Sequence, residues 1–445
     1  MSAARWQARS LRWMAALGLA GCASYHPLPL PQRVEPVRSV AALQGATVAA
    51  TSWTLPSIER LVLLNNPDLR SVRAQHQVAQ AQLLQAKLLP NPGIGLSEGF
   101  LVSGPGDATA WSAGISEDIA ALITLKPRRE AARAATQQID AELLWQEWQT
   151  LAKTRLLYVD IVRGEQLARS LQAALELLEQ RDQRLRRSLV EGTSELTADA
   201  PLLAATADTR NALDDAQRTL LANRHALNAL LGLAPDVPVS LDPRLDLPVI
   251  DADAVRESAQ DMQRRRPDLV ALQLGYQSQE AHLRAAVLAQ FPVLSFGYQA
   301  TQDNSRVRNR GPSLNFDLPI FNHGQGGIAA ETATRQQLRD EYIARVVAAK
   351  SELEAMLSEQ AQTRAQHEAF AAQLAQADHA AAAAGTAYTQ GNLDLRSYVD
   401  LTTAAATRHA AAIVLQQRLD EQQVAIAALL GIGMPTTLPK DVIPS

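Results

Sequence analysis

The sequence is poor in cysteine and in aromatic residues. It contains one cysteine among 445 residues, which excludes a disulfide within the chain and any metal site built from cysteines. Aromatic residues make up only 4% although hydrophobic residues reach 47%, so the apolar content is mostly alanine and leucine. This composition is typical of long helices and coiled coils rather than of sheets.

A strong net charge, a long hydrophobic run and catalytic motifs are also missing. The net charge is -4, so no basic face favours nucleic acid as a partner. No run of eighteen or more uncharged apolar residues occurs, so we expect no helix that crosses a membrane by itself. No HExxH, P-loop or GxSxG motif appears, and the eight histidines lack metal-ligand spacing. The sequence therefore predicts no enzyme, no cofactor and no metal site.

The single cysteine, Cys22, stands at the end of a secretory signal pattern. Arginines precede a short apolar run at residues 13–20. The run ends in Leu19-Ala20-Gly21-Cys22, which resembles the lipobox of bacterial lipoproteins, in which the chain is cut before the cysteine and the cysteine carries lipid. We predict lipidation at Cys22. The alternative is a chance cysteine within a signal peptide.

Two segments alternate between apolar and polar residues with the period of a β-strand. Residues 291–321 alternate in both halves, and the polar residues 303–311 between the halves are predicted to form a loop tip. Residues 93–121 show the same pattern around a glycine- and proline-rich turn. The sequence therefore predicts two β-hairpins, each with one apolar face.

The few aromatic residues gather in or beside these hairpins. Membrane barrels place aromatic side chains at the interface and on the lipid face. The candidates for membrane-interface aromatics are Phe100, Trp111, Phe296, Tyr298, Phe316 and Phe321.

Long proline-free stretches follow each hairpin, one between Pro127 and Pro201 and the other from about residue 327. Apolar residues at three- and four-residue spacing predict helices there, and about sixty residues would span on the order of 90 Å. Matching motifs recur at an offset of 199 or 200 residues, as Gly192 and Gly391 do. Several matches in the same order indicate a tandem duplication.

Each repeat is predicted to contain a helix, a hairpin, a very long helix, a tip turn and a return helix. The predicted segments are a signal peptide at 1–21, a lipidated linker at 22–56, a first repeat at 57–232 with its tip at 189–196, a proline-rich linker at 233–252, a second repeat at 253–433 with its tip at 388–395, and a tail at 434–445.

Four strands per chain cannot close into a membrane barrel. Open strand edges are excluded from a bilayer because their unpaired N–H and C=O groups find no water there. Membrane barrels begin at eight strands, so strands lying in a membrane would require several chains to share one barrel. The alternative is a soluble sheet whose apolar face packs on the helices.

From residue 55 to residue 433 the chain resembles the TolC-type outer membrane efflux proteins, also called outer membrane factors. The resemblance depends on the order and spacing of short motifs rather than on any one of them. These motifs are Asn66-Pro67-Asp68-Leu69, Leu89-Pro90-Asn91-Pro92, Arg266-Pro267-Asp268-Leu269, Phe291-Pro292, Gly311-Pro312, Leu318-Pro319-Ile320-Phe321, and Tyr388 with Gly391, Leu395 and Asp400.

The resemblance implies a mostly α-helical fold with membrane β-strands, assembled as a homotrimer. Three chains would contribute four strands each to one twelve-stranded barrel in the outer membrane, and their helices would form a periplasmic α-barrel. The implied partners are outer-membrane lipid, a periplasmic adaptor protein and an inner-membrane pump. The resemblance implies a conduit and not an enzyme.

The resemblance also places functional residues near the helical tips. Gly192, Leu196, Gly391 and Leu395 are the implied adaptor-docking positions, although both glycines are equally consistent with plain helix caps. Asp400, Ser397 and Tyr388 are the implied pore-constriction residues. Three copies of Asp400 would form a carboxylate ring that attracts cations, and the alternative is a solvated helix-face aspartate. The family's acidic partner of Tyr388 falls here on Ala198, which departs from the family pattern.

The leading functional hypothesis is an outer-membrane duct of a tripartite efflux or type I secretion-like system. The alternative is a periplasmic coiled-coil structural lipoprotein without channel activity. Drugs, metal cations, organic toxins and proteins all stay open as exported substrates, because the duct accepts what the pump delivers.

Overall fold

The structure is a computed structural model that describes residues 25–46, 52–190, 199–247, 250–291, 293–317 and 319–435. The chain divides into two units, of which the first ends at Pro36 and the second begins at Val37. In the first unit, residues 25–36 form neither helix nor strand. Cys22, Gly192 and Leu196, three of the predicted site residues, lie outside the described residues.

The described part of the second unit forms ten α-helices and four β-strands. In chain order they are α1 (Leu55–Asn65), α2 (Pro67–Lys87), β1 (Gly93–Gly99), β2 (Ala110–Asp118), α3 (Ile119–Ile123), α4 (Leu125–Val190), α5 (Asp199–Leu231), α6 (Ala252–Gln260), α7 (Met262–Arg265), α8 (Pro267–Leu288), β3 (Val293–Gln302), β4 (Arg308–Asp317), α9 (Gln325–Thr389) and α10 (Leu395–Leu430). None of the described helices combines the length and the hydropathy that a membrane span requires.

The two long helices form where proline is missing. Helix α4 has 66 residues and α9 has 65, so each is about 100 Å long at 1.5 Å per residue. The apolar stripe predicted on α4 is buried, as Leu144, Leu151 and Tyr158 are at most 3% exposed. Helix α4 packs against α5 of its own repeat and against α8 and α10 of the other repeat. It therefore joins the two repeats.

The duplication is visible in the way the return helices end. Gly232 ends α5 with φ +73°, and Gly431 ends α10 with φ +72°. After each glycine the next backbone N–H donates 2.8 Å back into the helix, from Leu233 to the Asn228 carbonyl and from Ile432 to that of Ala427. This is the Schellman type of helix end, in which a left-handed glycine satisfies free carbonyls. The two repeats therefore stop their return helices by the same device.

The matching short motifs that start α2 in the first repeat and α8 in the second have separate structural roles. In the first repeat, the Asn66 side chain accepts 2.9 Å from the Leu69 backbone N–H and caps α2. In the second repeat, the equivalent Arg266 is only 4% exposed and forms two hydrogen bonds to Asp268, at 3.0 and 2.8 Å. A side-chain cap has thus been exchanged for a buried ion pair at the same place in the fold.

The four strands form one antiparallel sheet in the order β1-β2-β3-β4. Both predicted hairpins are present, and β2 joins them by pairing with β3. Residues 119–121, predicted as the end of the first hairpin, are helical instead. The Asp118 side chain accepts 3.1 Å from the Ala121 backbone N–H and caps helix α3, which ends the strand at that point.

The predicted loop tip at 303–311 is too long. Residues 308–311 belong to β4 and pair with residues 299–302, so the loop contains only 303–307. The Asp303 carboxylate closes this loop by accepting from the backbone N–H groups of Ser305 at 2.8 Å and Val307 at 2.9 Å. Arg306 takes a left-handed φ of +66° within it. Polar side chains at 308–311 mislead the prediction, because ladder hydrogen bonds need only the backbone.

Candidate functional site

The sheet separates apolar from small polar side chains onto its two faces. Residues directly opposite each other in an antiparallel ladder share a face. One such row crosses all four strands through Ile94, Ile115, Tyr298 and Pro312. The row on the other face, one residue away, contains Gly95, Gly114, Gln299 and Gly311. The sheet therefore has a bulky, mostly apolar face, which also contains Glu117 opposite Phe296, and a face of small or polar residues.

The apolar face is not covered by the helices of the chain. Leu96 is 77% exposed, Phe296 54%, Tyr298 50% and Phe316 55%. Contiguous apolar surface of this kind marks a site of protein or membrane contact. The predicted alternative, in which the helices bury this face, does not match the structure.

The predicted interface aromatics divide into two groups. Phe296, Tyr298, Phe316 and Trp111 lie in the strands on the apolar face. Phe100 follows the end of β1 and Phe321 follows the end of β4, and they are 75% and 93% exposed. Both therefore lie outside the hydrogen-bonded sheet, one beyond each of its two ends.

Strands β1 and β4 are the open edges of the sheet. No other strand among the described residues pairs with their outer sides. By contrast, the inner strands β2 and β3 are closely packed against each other. A Cβ added at Gly297 of β3 would lie 2.4 Å from the carbonyl oxygen of Ile115 in β2. Exposed edges of this length are templates for further strands.

The second tip turn joins α9 to α10. It follows the end of α9 that lies opposite the end connected to the sheet. Gly391 takes φ +76° there, and no atom lies within 4 Å of the position its Cβ would occupy. This left-handed conformation fits both the docking turn and the plain helix cap between which the sequence did not decide. The Asp394 carboxylate then caps α10 by accepting 2.9 Å from the Ser397 N–H and 2.7 Å from the Ser397 hydroxyl. These bonds to Ser397 lower the pKa of Asp394.

A cluster of two tyrosines and an arginine lies next to this turn. The ring of Tyr388 stacks on that of Tyr398, with centroids 4.9 Å apart. The Arg181 guanidinium lies 5.2 Å from the Tyr388 ring centre and 4.6 Å from that of Tyr398. It also donates 3.1 Å to the Tyr398 hydroxyl. Because Arg181 belongs to α4, this cluster ties the first repeat to the second tip.

Arg181 and Tyr398 were not among the predicted site residues. Tyr398 is 5% exposed and packs in an apolar cluster with Leu178, Leu185 and Val399. The predicted docking residue Leu395 also packs partly into this cluster. A tyrosine ten residues after Tyr388, close to a helix start, was the available signal, but no sequence pattern indicated that an arginine so distant in the chain faces it.

The predicted constriction residues do not meet within one chain. Ser397 is engaged by the Asp394 cap, whereas Tyr388 belongs to the tyrosine–arginine cluster. Asp400 is exposed, and its side chain forms no hydrogen bond or ion pair with any other residue in the described part of the chain. Asp400 is therefore free to face solvent or another copy of the chain.

A second polar cluster lies midway along α4 and α10. The Gln417 side chain donates 3.0 Å to Asp160 and 2.8 Å to Glu421, and so bridges the two carboxylates. Burial, followed by the hydrogen bond to Asp160, raises the pKa of Glu421 to about 7. One turn along the same helices, Arg163 donates 2.7 Å to Asp420. No group of three or more metal-ligating side chains occurs among the described residues.

The fold is that of known outer-membrane channels. An outer membrane protein, VceC from Vibrio cholerae, superposes with a TM-score of 0.71 at 18% identity, covering 85% of this chain and 96% of the other. The open state of the MtrE outer membrane channel of Neisseria gonorrhoeae gives 0.69 at 18%, covering 93% and 100%. A membrane protein from Pseudomonas aeruginosa gives 0.74 at 16%, covering 96% and 100%. No family sequence model and no curated protein matches the chain.

These likenesses extend over nearly the whole of each chain, so they concern the complete arrangement of two long-helix pairs and four strands. The predicted fold class, mostly helical with four antiparallel strands, is confirmed, and it is the fold of the TolC-type outer membrane factors. The identities are below 20%, and the likeness therefore concerns the fold.

Proposed function

We propose that this chain is the outer-membrane channel of a tripartite export system and acts as a homotrimer. The observation that carries the proposal is the four-stranded sheet, which has an uncovered apolar face and two open edges. Lipid is the solvent that suits the face, and further copies are the partners that suit the edges. The likeness of the fold to outer-membrane channels supports this proposal.

Three copies would close twelve strands into a barrel whose small, polar face lines the lumen. Glycine and serine on that face leave the interior open, since their side chains occupy little space. The long helices would continue the conduit into the periplasm. The alternative, a structural lipoprotein without channel activity, gives no role to a sheet that exposes Phe296, Tyr298 and Phe316 to water.

The proposal places the working end at the helical tips. Asp400 would contribute one carboxylate per copy to a constriction ring, with Tyr388 and Ser397 beside it. The turns that contain Gly192, Leu196, Gly391 and Leu395 would dock a periplasmic adaptor, which connects to an inner-membrane pump. Cys22 would carry the lipid anchor. The substrate class is set by the pump in this scheme.

The experiment that tests the channel compares two neighbouring residues of β3 on opposite faces. A lysine in the middle of the lipid face costs about 2–4 kcal/mol, whereas a lysine in the lumen is tolerated. We expect Tyr298→Lys to abolish recovery of the trimer from the outer membrane and its conductance in planar bilayers. Gln299→Lys, the matched control, should keep both.

Two results would contradict the proposal. One is a wild-type protein that is monomeric and is released from membranes by carbonate or high salt. The other is equal tolerance of Tyr298→Lys and Gln299→Lys, because a soluble sheet has no lipid face. Replacing Cys22 with serine tests the anchor separately, since labelling with palmitate should disappear while conductance stays.

A further inference from the structure

The apolar face of the sheet ends at the hairpin loops in a row that contains charged side chains. The row crosses the strands through Glu98, Trp111, Gln302 and Arg308. The next row inward contains Leu96, Ala113, Ala300 and Arg310. Two arginines of one strand thus lie on the apolar face, one at its rim and one about 7 Å further in, at two residues of strand rise.

The charge of these arginines is incompletely balanced by the chain itself. Arg308 donates 2.9 Å to the neutral Gln302 side chain, and both arginines are exposed. Neither forms an ion pair with a residue in the ranges that the structure describes. The nearby acidic groups have other roles, because Asp303 closes the loop and Asp107 pairs with Arg306 at 2.7 Å.

Glu98 is the remaining acid of this row, but it lies on β1, at the opposite edge of the sheet. Three strand spacings separate it from Arg308, which is about 14 Å. In a closed ring, Glu98 of the next copy would come beside β4. One carboxylate offsets one of two arginines, so the rim keeps a positive charge per copy.

Charged side chains on a membrane face are costly unless they find an anionic partner at the interface. An arginine next to an apolar band extends its aliphatic stem along the band and places its guanidinium at the headgroup level. Its planar fork suits the oxygens of a phosphate better than those of any neutral group. Trp111, 37% exposed in the same row, suits the same level because tryptophan prefers membrane interfaces.

We propose that Arg308 and Arg310 form a binding site for the phosphate of a lipid headgroup in the outer leaflet of the membrane. The lipid's acyl chains would lie on the band that begins with Leu96, in the row of Arg310, and its phosphate would accept hydrogen bonds from both guanidinium groups. The inference depends on the proposed function, because it requires the apolar face to lie in a bilayer with the hairpin loops outside.

The test uses the full-length trimer purified in mild detergent and vesicles that contain diphosphorylated lipid A or the same lipid without phosphates. We expect the wild-type trimer to retain the diphosphorylated lipid and to release the dephosphorylated one. Arg308→Gln with Arg310→Gln should weaken retention by about fivefold for each arginine removed. Arg306→Gln, which loses a loop arginine paired with Asp107, is the matched control and should retain the lipid.

Conductance and trimer mass are measured on the same samples. If the wild type conducts but retains both lipids equally, or if the double variant retains lipid like the wild type, this inference is wrong and the channel proposal stands. If Glu98→Gln dissociates the trimer as strongly as the double variant does, the arginines serve contacts between copies instead. A wild type that neither inserts nor conducts would overturn the channel proposal and this inference together.

Discussion

Tyr388 and Tyr398 stack across the second tip turn with ring centroids 4.9 Å apart, although one belongs to α9 and the other to α10. Arg181 of α4 covers both rings and donates a hydrogen bond to the Tyr398 hydroxyl. One guanidinium thus contacts the incoming and outgoing helices of the turn. This arrangement links the position of the tip to a helix of the first repeat.

The first prediction concerns this cluster. Arg181→Ala removes two cation–π contacts and one hydrogen bond, together about 1–2 kcal/mol. We expect amide hydrogen exchange of residues 385–399 to become about tenfold faster, since 1.4 kcal/mol corresponds to a factor of ten. Tyr398→Phe, which keeps the stacked ring and loses only the hydroxyl, should show a smaller increase.

Arg187→Ala is the matched control, because Arg187 is an exposed arginine of the same helix. Equal exchange rates in Arg181→Ala and Arg187→Ala would show that the cluster does not hold the tip. If the channel proposal is correct, Arg181→Ala should also raise the mean conductance in planar bilayers.

The second prediction compares two glycines with nearly the same backbone conformation. Alanine at Gly391 meets no atom within 4 Å, so Gly391→Ala should cost only the strain of a positive φ, about 1–2 kcal/mol. Alanine at Gly431 would place its Cβ 2.1 Å from Trp148 Cη2. We expect Gly431→Ala to lower the free energy of unfolding by about 3 kcal/mol or more.

Thermal unfolding followed by circular dichroism measures both changes. Trp148→Leu shortens the obstructing side chain and should separate the clash from the backbone strain. We expect the loss of stability in Trp148→Leu to be partly compensated by Gly431→Ala and not by Gly391→Ala. A loss of stability that is the same for both glycine variants would mean that the chain beyond α10 shifts and that the contact with Trp148 is unimportant.

The third prediction is a pH dependence that arises from Glu421. Its pKa is about 7 in the folded chain against 4.5 for the ordinary group, so the folded state holds the extra proton between these values. The stabilisation is complete below pH 4.5 and is lost as the pH rises to about 7. With allowance for solvent screening, we expect the loss to be on the order of 1 kcal/mol.

Glu421→Gln keeps the shape of the side chain and cannot ionise. As the pH rises from 5 to 8, the unfolding midpoint of the wild type should therefore decrease relative to that of the variant. Glu368→Gln, at an exposed glutamate of α9, is the control and should follow the wild type. Parallel curves for the wild type and Glu421→Gln would show that Glu421 titrates normally.

The fourth prediction concerns Asp400 and depends on the proposed trimer. A ring of three carboxylates raises the local concentration of cations, so Asp400→Asn should reduce the cation preference of the pore by about twofold or more. Planar-bilayer reversal potentials under a salt gradient measure this change. Glu368→Gln should leave the preference unaltered, and an unchanged preference in Asp400→Asn would remove Asp400 from the constriction.

The sequence by itself determined the elements whose signals are local. Proline-free stretches with a three-four stripe give the long helices, because such a stripe buries one helix face at every turn. Alternation gives the two hairpins and their apolar faces, because side chains of a strand alternate strictly. The sequence also predicted the tip turn at Gly391, since only a few residues define a turn. The duplication followed from motifs that recur in the same order at one offset.

Only the tertiary structure decided the relationships between distant parts of the chain. The loop at 303–307 is short because Asp303 closes it, which fixes the register and brings Arg308 and Arg310 onto the apolar face. Arg181 meets Tyr398 across 217 residues of sequence, and Gln417 reaches Asp160 across 257. Helical periodicity says which residues share a face but not which face of another helix they meet. That pairing is set by packing between the two repeats, on which a local sequence pattern carries no information.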